Sequence, residues 1–156
     1  MTEKKTGAML SLCMEIPALL ANQDDKACSQ LRKFGYDIGK GFQIQDDILE
    51  IFSDADEMGK SLGSDVIAQK QTALTLMARK MAQEQWSEFC QRSQGQPIDE
   101  KLTAMRTFFK DSGVYGKTTA MAEDYFNNAV SNLVVIPESG REELVAFTNF
   151  IKNRNY

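Results

Sequence analysis

Apolar residues recurring every three to four positions constrain this chain more than any other feature, because only a helix gathers such residues on one face. From Lys4 to Leu20, Met9, Cys13, Ile16 and Leu20 keep that spacing, with Leu10, Leu12 and Leu19 beside them. A second helix is expected from about Asp25 to Phe52, capped by Asn22 or Asp24. Its apolar stripe is Leu31, Phe34, Ile38 and Phe42, then Ile48, Leu49 and Phe52. Gly35, Gly39 and Gly41 interrupt it. Each costs a helix about 1 kcal/mol relative to alanine, so their cluster implies close approach by a neighbouring helix or a ligand. Residues 53–69 lose the period and read as a long polar loop. Further helices are expected over about Thr72–Gln91, from Pro97 to about 111–113, onward to about Val134, and over about Arg141–Asn153. "PESG" at 137–140 separates the last two. No alternating strand pattern with a partner remains. The expected fold class is all-α, a helical bundle forming one domain over residues 1–156.

The totals exclude several functions. No apolar run approaches the roughly 18 residues of a membrane span. The basic start, "MTEKKTGAML", is not followed by the apolar core and cleavage site of a leader, so cytoplasmic residence is expected. Cys13, Cys28 and Cys90 share no metal-like spacing and read as reduced, mostly buried thiols. Histidine is absent, which rules out imidazole triads and HExxH zinc sites. A net charge of −4 gives no reason to expect a nucleic-acid partner.

The chemistry concentrates in "GFQIQDDILEIF", residues 41–52. On a helix Asp46 and Glu50 stack one turn apart, Asp47 lies three positions before Glu50, and Gln43 precedes the pair. Ile44, Ile48 and Ile51 or Phe52 fall on the other side. Like charges at this spacing repel, so something positive is required opposite them. A hard divalent cation such as Mg²⁺ meets that need through oxygen ligands. A DDxxE pattern by itself more often marks a solvated acidic face. The neighbours sharpen the reading: "GKSLGSD" carries Lys60 and Asp65, "KQT" carries Lys70, and Lys5-Thr6-Gly7 stands at the chain start. Acids that hold a metal, with lysines to neutralise phosphate oxygens, suit a metal-bridged phosphate.

In this order, "KTGAML", "GKGFQIQDDILEIF", "GKSLGSD" and "KQTA" resemble the C-terminal half of the trans-isoprenyl diphosphate synthases, the farnesyl and geranylgeranyl diphosphate synthase family. The motifs lie between residue 4 and about 76, and "FIKNRNY" resembles the family's basic tail. The resemblance implies the C-terminal part of an isoprenoid-synthase fold. It also implies a Mg²⁺-dependent prenyltransferase condensing isopentenyl diphosphate with an allylic diphosphate. Asp46 would be the main metal ligand, with Asp47 assisting. Glu50 replaces the usual final aspartate of that motif. Lys5 and Lys60 would contact the allylic diphosphate, with Thr6 and Gln43 nearby and Asp65 and Lys70 supporting the same end. Asp46 and Lys60 would thus carry the catalytic role. Phe42 would line the wall beside the prenyl chain; an ordinary core aromatic fits that position equally. For Lys152 and Arg154 a solvated C-terminus is the expectation.

The family's first aspartate cluster and its paired arginines are absent from these residues. "DDKAC" at 24–28 ends in Cys28, and "DADE" at 54–57 falls in the loop. The chain therefore reads as half a site, inactive without the N-terminal half. Two alternatives stand beside this. One is a non-catalytic regulatory subunit pairing with a full-length synthase in a homo- or hetero-oligomer. The other is a class I terpene cyclase fragment, against which Glu50 argues because those enzymes place Ser or Thr there.

Overall fold

A computed structural model describes residues 3–53 and 70–154, with side chains from Thr6 onward. These residues contain seven α-helices, one 3₁₀ turn and no strand, as the all-α expectation requires. The helices are α1 (Glu3–Leu20), α2 (Asp25–Phe52), α3 (Ala73–Met81), α4 (Gln83–Arg92), α5 (Ile98–Asp111), α6 (Val114–Ser131) and α7 (Glu138–Lys152). The 3₁₀ turn, Asn132–Val135, follows α6.

Both cap candidates before α2 are used, each differently. Asn22 adopts φ 52° and ends α1, while the N–H of Gln23 reaches back to the Ala18 carbonyl at 3.0 Å. Asp24 Oδ1 accepts from the Ala27 N–H at 2.7 Å, the geometry of an N-cap. Four sequence expectations are corrected. The single helix over Thr72–Gln91 breaks at Ala82 (φ −143°, ψ 51°). The helix expected to reach Val134 ends at Ser131, and the LVV residues close into the 3₁₀ turn. The last helix begins at Glu138, because Pro137 takes the cap position and "ESG" enters the first turn. Cys28 alone of the three thiols is buried. Cys13 shares the outer face of α1 with exposed Met9 and Ile16, and Cys90 lies just past the buried Trp86–Phe89 turn of α4.

The chain divides into two compact units. One comprises α1, α2 through Gln45, and Met121–Arg154. Its core holds Phe34, Ile38, Phe126, Ala129 and Leu133, all nearly solvent-free. The glycine cluster explains how α1 reaches α2. A methyl group on Gly35 would lie 2.3 Å from the Leu10 carbonyl oxygen, and one on Gly39 would lie 2.6 Å from the Gly7 Cα. At Gly41 it would meet the Phe126 ring at 2.9 Å. Helix neighbours, rather than a ligand, thus account for all three positions. Glu15 and Arg32 add a two-pronged ion pair between α1 and α2. The Arg32 guanidinium holds the Glu15 carboxyl below the usual range.

The other unit comprises the described residues between Asp46 and Ala120. Trp86, Phe89, Phe108 and Phe109 form an aromatic cluster with ring centroids 5.3–5.8 Å apart. Ile48, Ile51 and Leu74 are buried in the same unit. The Arg106 guanidinium donates to the Ile51 carbonyl and, at 2.8 Å, to that of Ser53. A cation thereby meets the negative end of α2.

Candidate functional site

Helix α2 runs without interruption from Asp25 to Phe52, so Gln43, Asp46, Asp47 and Glu50 hang from one rigid element. Ile44, Ile48 and Ile51 are buried, which settles the phase and turns the polar strip away from the core. Asp46 is exposed, whereas Gln43, Asp47 and Glu50 are half-buried. Only carboxylate and amide oxygens are on offer here, a donor set that suits a hard cation. No group of three or more metal-binding side chains assembles among the described residues. Magnesium commonly takes one or two protein carboxylates and completes its shell with water and phosphate, so Asp46 with Glu50 fits that ion.

Asp47 makes a contact that periodicity could not foretell. Its Oδ2 accepts from the Ala73 N–H at 2.6 Å, at the start of α3. That N-terminus is also capped by Thr72, whose side chain accepts from Thr75 N–H while the Thr75 hydroxyl accepts from Thr72 N–H at 2.9 Å. Lys70 is exposed, three residues before Ala73.

In the first unit, the KTG segment docks on α2. Gly7 packs against Gly39, and the Thr6 carbonyl carbon would lie 3.4 Å from a methyl placed there. Gly39 is one turn before Gln43, which puts half-buried Thr6 beside the lead-in to the polar strip. The Lys5 side chain, Lys60 and Asp65 lie outside the described residues.

The C-terminal residues correct the expectation of a solvated tail. The Arg154 guanidinium stacks on the Phe42 ring, 3.8 Å from its centroid. Gln45 Nε2 donates to the carbonyls of Lys152 at 2.7 Å and Arg154 at 3.3 Å. Phe42 is therefore not a plain core residue, since one face of its ring carries a cation. In the sequence Gln45 is one more polar residue within α2, between buried Ile44 and Ile48, and nothing local points to the C-terminus as its partner.

Near the middle of α2, burial raises the Asp37 carboxyl above its ordinary range, an effect that Lys33 partly offsets. Asn132 Nδ2 approaches it at 3.4 Å.

Comparisons with known proteins identify the family and the fold. The sequence model of the family described as polyprenyl synthetase matches residues 1–108. A geranylfarnesyl diphosphate synthase of Natronomonas pharaonis is 34% identical over all of this chain and 45% of its own length. Component 2 of the heptaprenyl diphosphate synthase of Bacillus subtilis is 26% identical over 99% of the chain and 44% of its own. A polyprenyl synthase from Caulobacter crescentus CB15, solved in complex with calcium and isoprenyl diphosphate, superposes with a TM-score of 0.84. It is 26% identical, over 99% of this chain and 48% of that one. The chain thus spans about half the length of the relatives it matches.

Proposed function

Because the chain belongs to the polyprenyl synthetase family, we propose that it supplies the C-terminal half of a Mg²⁺-dependent prenyltransferase site. The substrates are an allylic diphosphate and isopentenyl diphosphate. The observation that carries this reading is Asp46, exposed on the polar face of an unbroken α2, with Glu50 one turn further along.

Asp46 and Glu50 would hold the cation through their carboxylate oxygens, and Mg²⁺ there would supply positive charge to offset the negative charge developing on the departing diphosphate. Gln43 and Thr6 donate hydrogen bonds to phosphate oxygens. Lys5, Lys60 and Lys70 neutralise the charge that remains, with Asp65 supporting the same end of the pocket. Phe42, backed by Arg154, forms the wall next to the prenyl chain. The C–O bond of the allylic diphosphate breaks and its electron pair leaves with the diphosphate. The isopentenyl double bond attacks the allylic cation, and loss of a proton restores the alkene.

Half of this electrostatic clamp must come from elsewhere. The apolar stripe on α1, formed by Met9, Leu12, Ile16, Leu19 and Leu20, is 48–79% exposed. An exposed stripe of that kind suits a protein partner. The N-terminal half of a synthase fits, joined to this chain or carried by another subunit. The name of the Bacillus relative, "component 2", favours an assembly of more than one chain. The exposed α1 stripe equally suits a second reading, in which this chain is a non-catalytic subunit pairing with a full-length synthase. No helix among the described residues is long and apolar enough to cross a membrane.

The test is reconstitution. The chain is purified alone and with the N-terminal half of a relative, and labelled isopentenyl diphosphate is followed into product. The chain alone is inactive, the pair elongates only with Mg²⁺, and Asp46→Ala lowers turnover at least about a hundredfold. Elongation by the isolated chain, or an unaffected Asp46→Ala pair, refutes the proposal.

A further inference from the structure

We infer that Asp47 is a positioning residue: its carboxylate pins the N-terminus of α3 and thereby fixes Lys70 and Thr72, and it is not a metal ligand. This rests on the metal-diphosphate reading of Asp46 and departs from the expectation that the second aspartate assists in metal binding. Successive residues on a helix project about 100° apart, so the two aspartates cannot face the same ion equally. Asp46 is exposed, whereas Asp47 is half-buried with Oδ2 2.6 Å from the Ala73 nitrogen. Ala73 is the first residue of α3, and its N–H has no acceptor within the helix. The positive end of the α3 dipole faces the carboxylate. The acid strip required positive charge near it, and at Asp47 a helix terminus supplies some.

The contact joins residues 26 apart in sequence. It therefore fixes where the chain returns after the segment bearing Lys60 and Asp65. Thr72 and Thr75 lock the same turn through their reciprocal cap. Lys70 stands two residues ahead of that cap, so its reach is set by how firmly α3 begins. A charge-assisted hydrogen bond is suited to this, being about twice as strong as a neutral one.

Ala73→Pro isolates the contact. Proline at the first helical position is tolerated, and the preceding Thr72 already has the extended conformation proline requires (φ −92°, ψ 168°). The substitution deletes the donor and leaves every charged residue in place. Stability is read by urea titration with the single tryptophan, Trp86, which lies in the same unit. Asp47→Ala lowers the folding equilibrium constant on the order of tenfold. The double variant with Ala73→Pro loses no more than Asp47→Ala does, and Asp47→Asn, which keeps an acceptor, recovers most of the loss. Additive effects of the two single changes overturn the contact.

Binding then separates positioning from ligation, using Mn²⁺ with inorganic pyrophosphate and paramagnetic broadening of the resonances of α2. Ala73→Pro weakens pyrophosphate binding several-fold, as Lys70→Ala does. Asp47→Asn costs less than threefold in Mn²⁺ affinity, whereas Asp46→Asn costs at least tenfold. If Asp47→Asn matches Asp46→Asn while Ala73→Pro has no effect, Asp47 is a ligand and the inference fails. If Asp46→Asn itself changes nothing, the metal reading of the strip fails instead, and the stability cycle still decides the Asp47–Ala73 contact.

Discussion

Replacing Gly39 with alanine tests how α1 meets α2, and with it the placement of Thr6 beside Gly39. The new methyl would sit 2.6 Å from Gly7 Cα and 3.0 Å from Gly7 N. Both are backbone atoms of α1 and cannot rotate aside. Carbon atoms pack at about 3.5–4.0 Å, so the helices must part locally by roughly 1 Å. Overpacking of this kind costs about 1–3 kcal/mol, and more where the obstacle is backbone. Alanine returns about 1 kcal/mol of helix propensity. The net loss is about 2 kcal/mol, seen by circular dichroism at 222 nm as a fall of roughly 4–8 °C in the melting midpoint. Gly116→Ala is the matched control. It lies inside α6 with nothing within 4 Å of the added methyl. There the propensity gain stands alone, and stability rises by several tenths of a kcal/mol or more. If Gly39→Ala is as stable as the parent, or gains like Gly116→Ala, α1 does not approach α2 at this point and the docking of the KTG segment is wrong.

Two further outcomes follow from the same unit. The Asp37 carboxyl is raised by burial, so its neutral form suits the fold. That contribution is complete below the unfolded value of about 3.9 and is lost as pH rises through the higher folded value. Asp37→Asn therefore raises the melting midpoint at pH 7, and the gain vanishes below about pH 4; a gain that persists at pH 3 contradicts the assignment. Gln45→Ala removes both amide donations to the Lys152 and Arg154 carbonyls. Hydrogen exchange of residues 150–154 then quickens roughly five- to thirtyfold, as expected on losing roughly 1–2 kcal/mol of local protection, while exchange unchanged from the parent means the tail is not held there.

Much of this layout is legible in the sequence, for identifiable reasons. The long apolar period and the Asp24 cap fix α2 locally, and Pro97 marks the start of α5. The glycines at 35, 39 and 41 signal a close approach because their helix cost demands a return. The break at Ala82 has no local signal. Met81, Ala82 and Gln83 are all good helix formers. Ala78, Ala82 and Trp86 are all buried around the break, so packing decides it. The site divides in the same way. That Asp46 and Glu50 share one face of α2 follows from helical stacking alone. The pairing of Asp47 with Ala73 and the seating of Arg154 on Phe42 join residues 26 and 112 positions apart in sequence, and no periodicity within one helix reports such partners.

The most direct measurement is anomalous diffraction from crystals of the chain reassembled with an N-terminal half and soaked in Mn²⁺ and inorganic pyrophosphate. A manganese peak within direct coordination distance of an Asp46 carboxylate oxygen, with pyrophosphate on its far side, is the predicted result. Metal and pyrophosphate seated elsewhere, with Asp46 and Glu50 facing only solvent, would contradict the assignment of α2 as the metal-bearing helix.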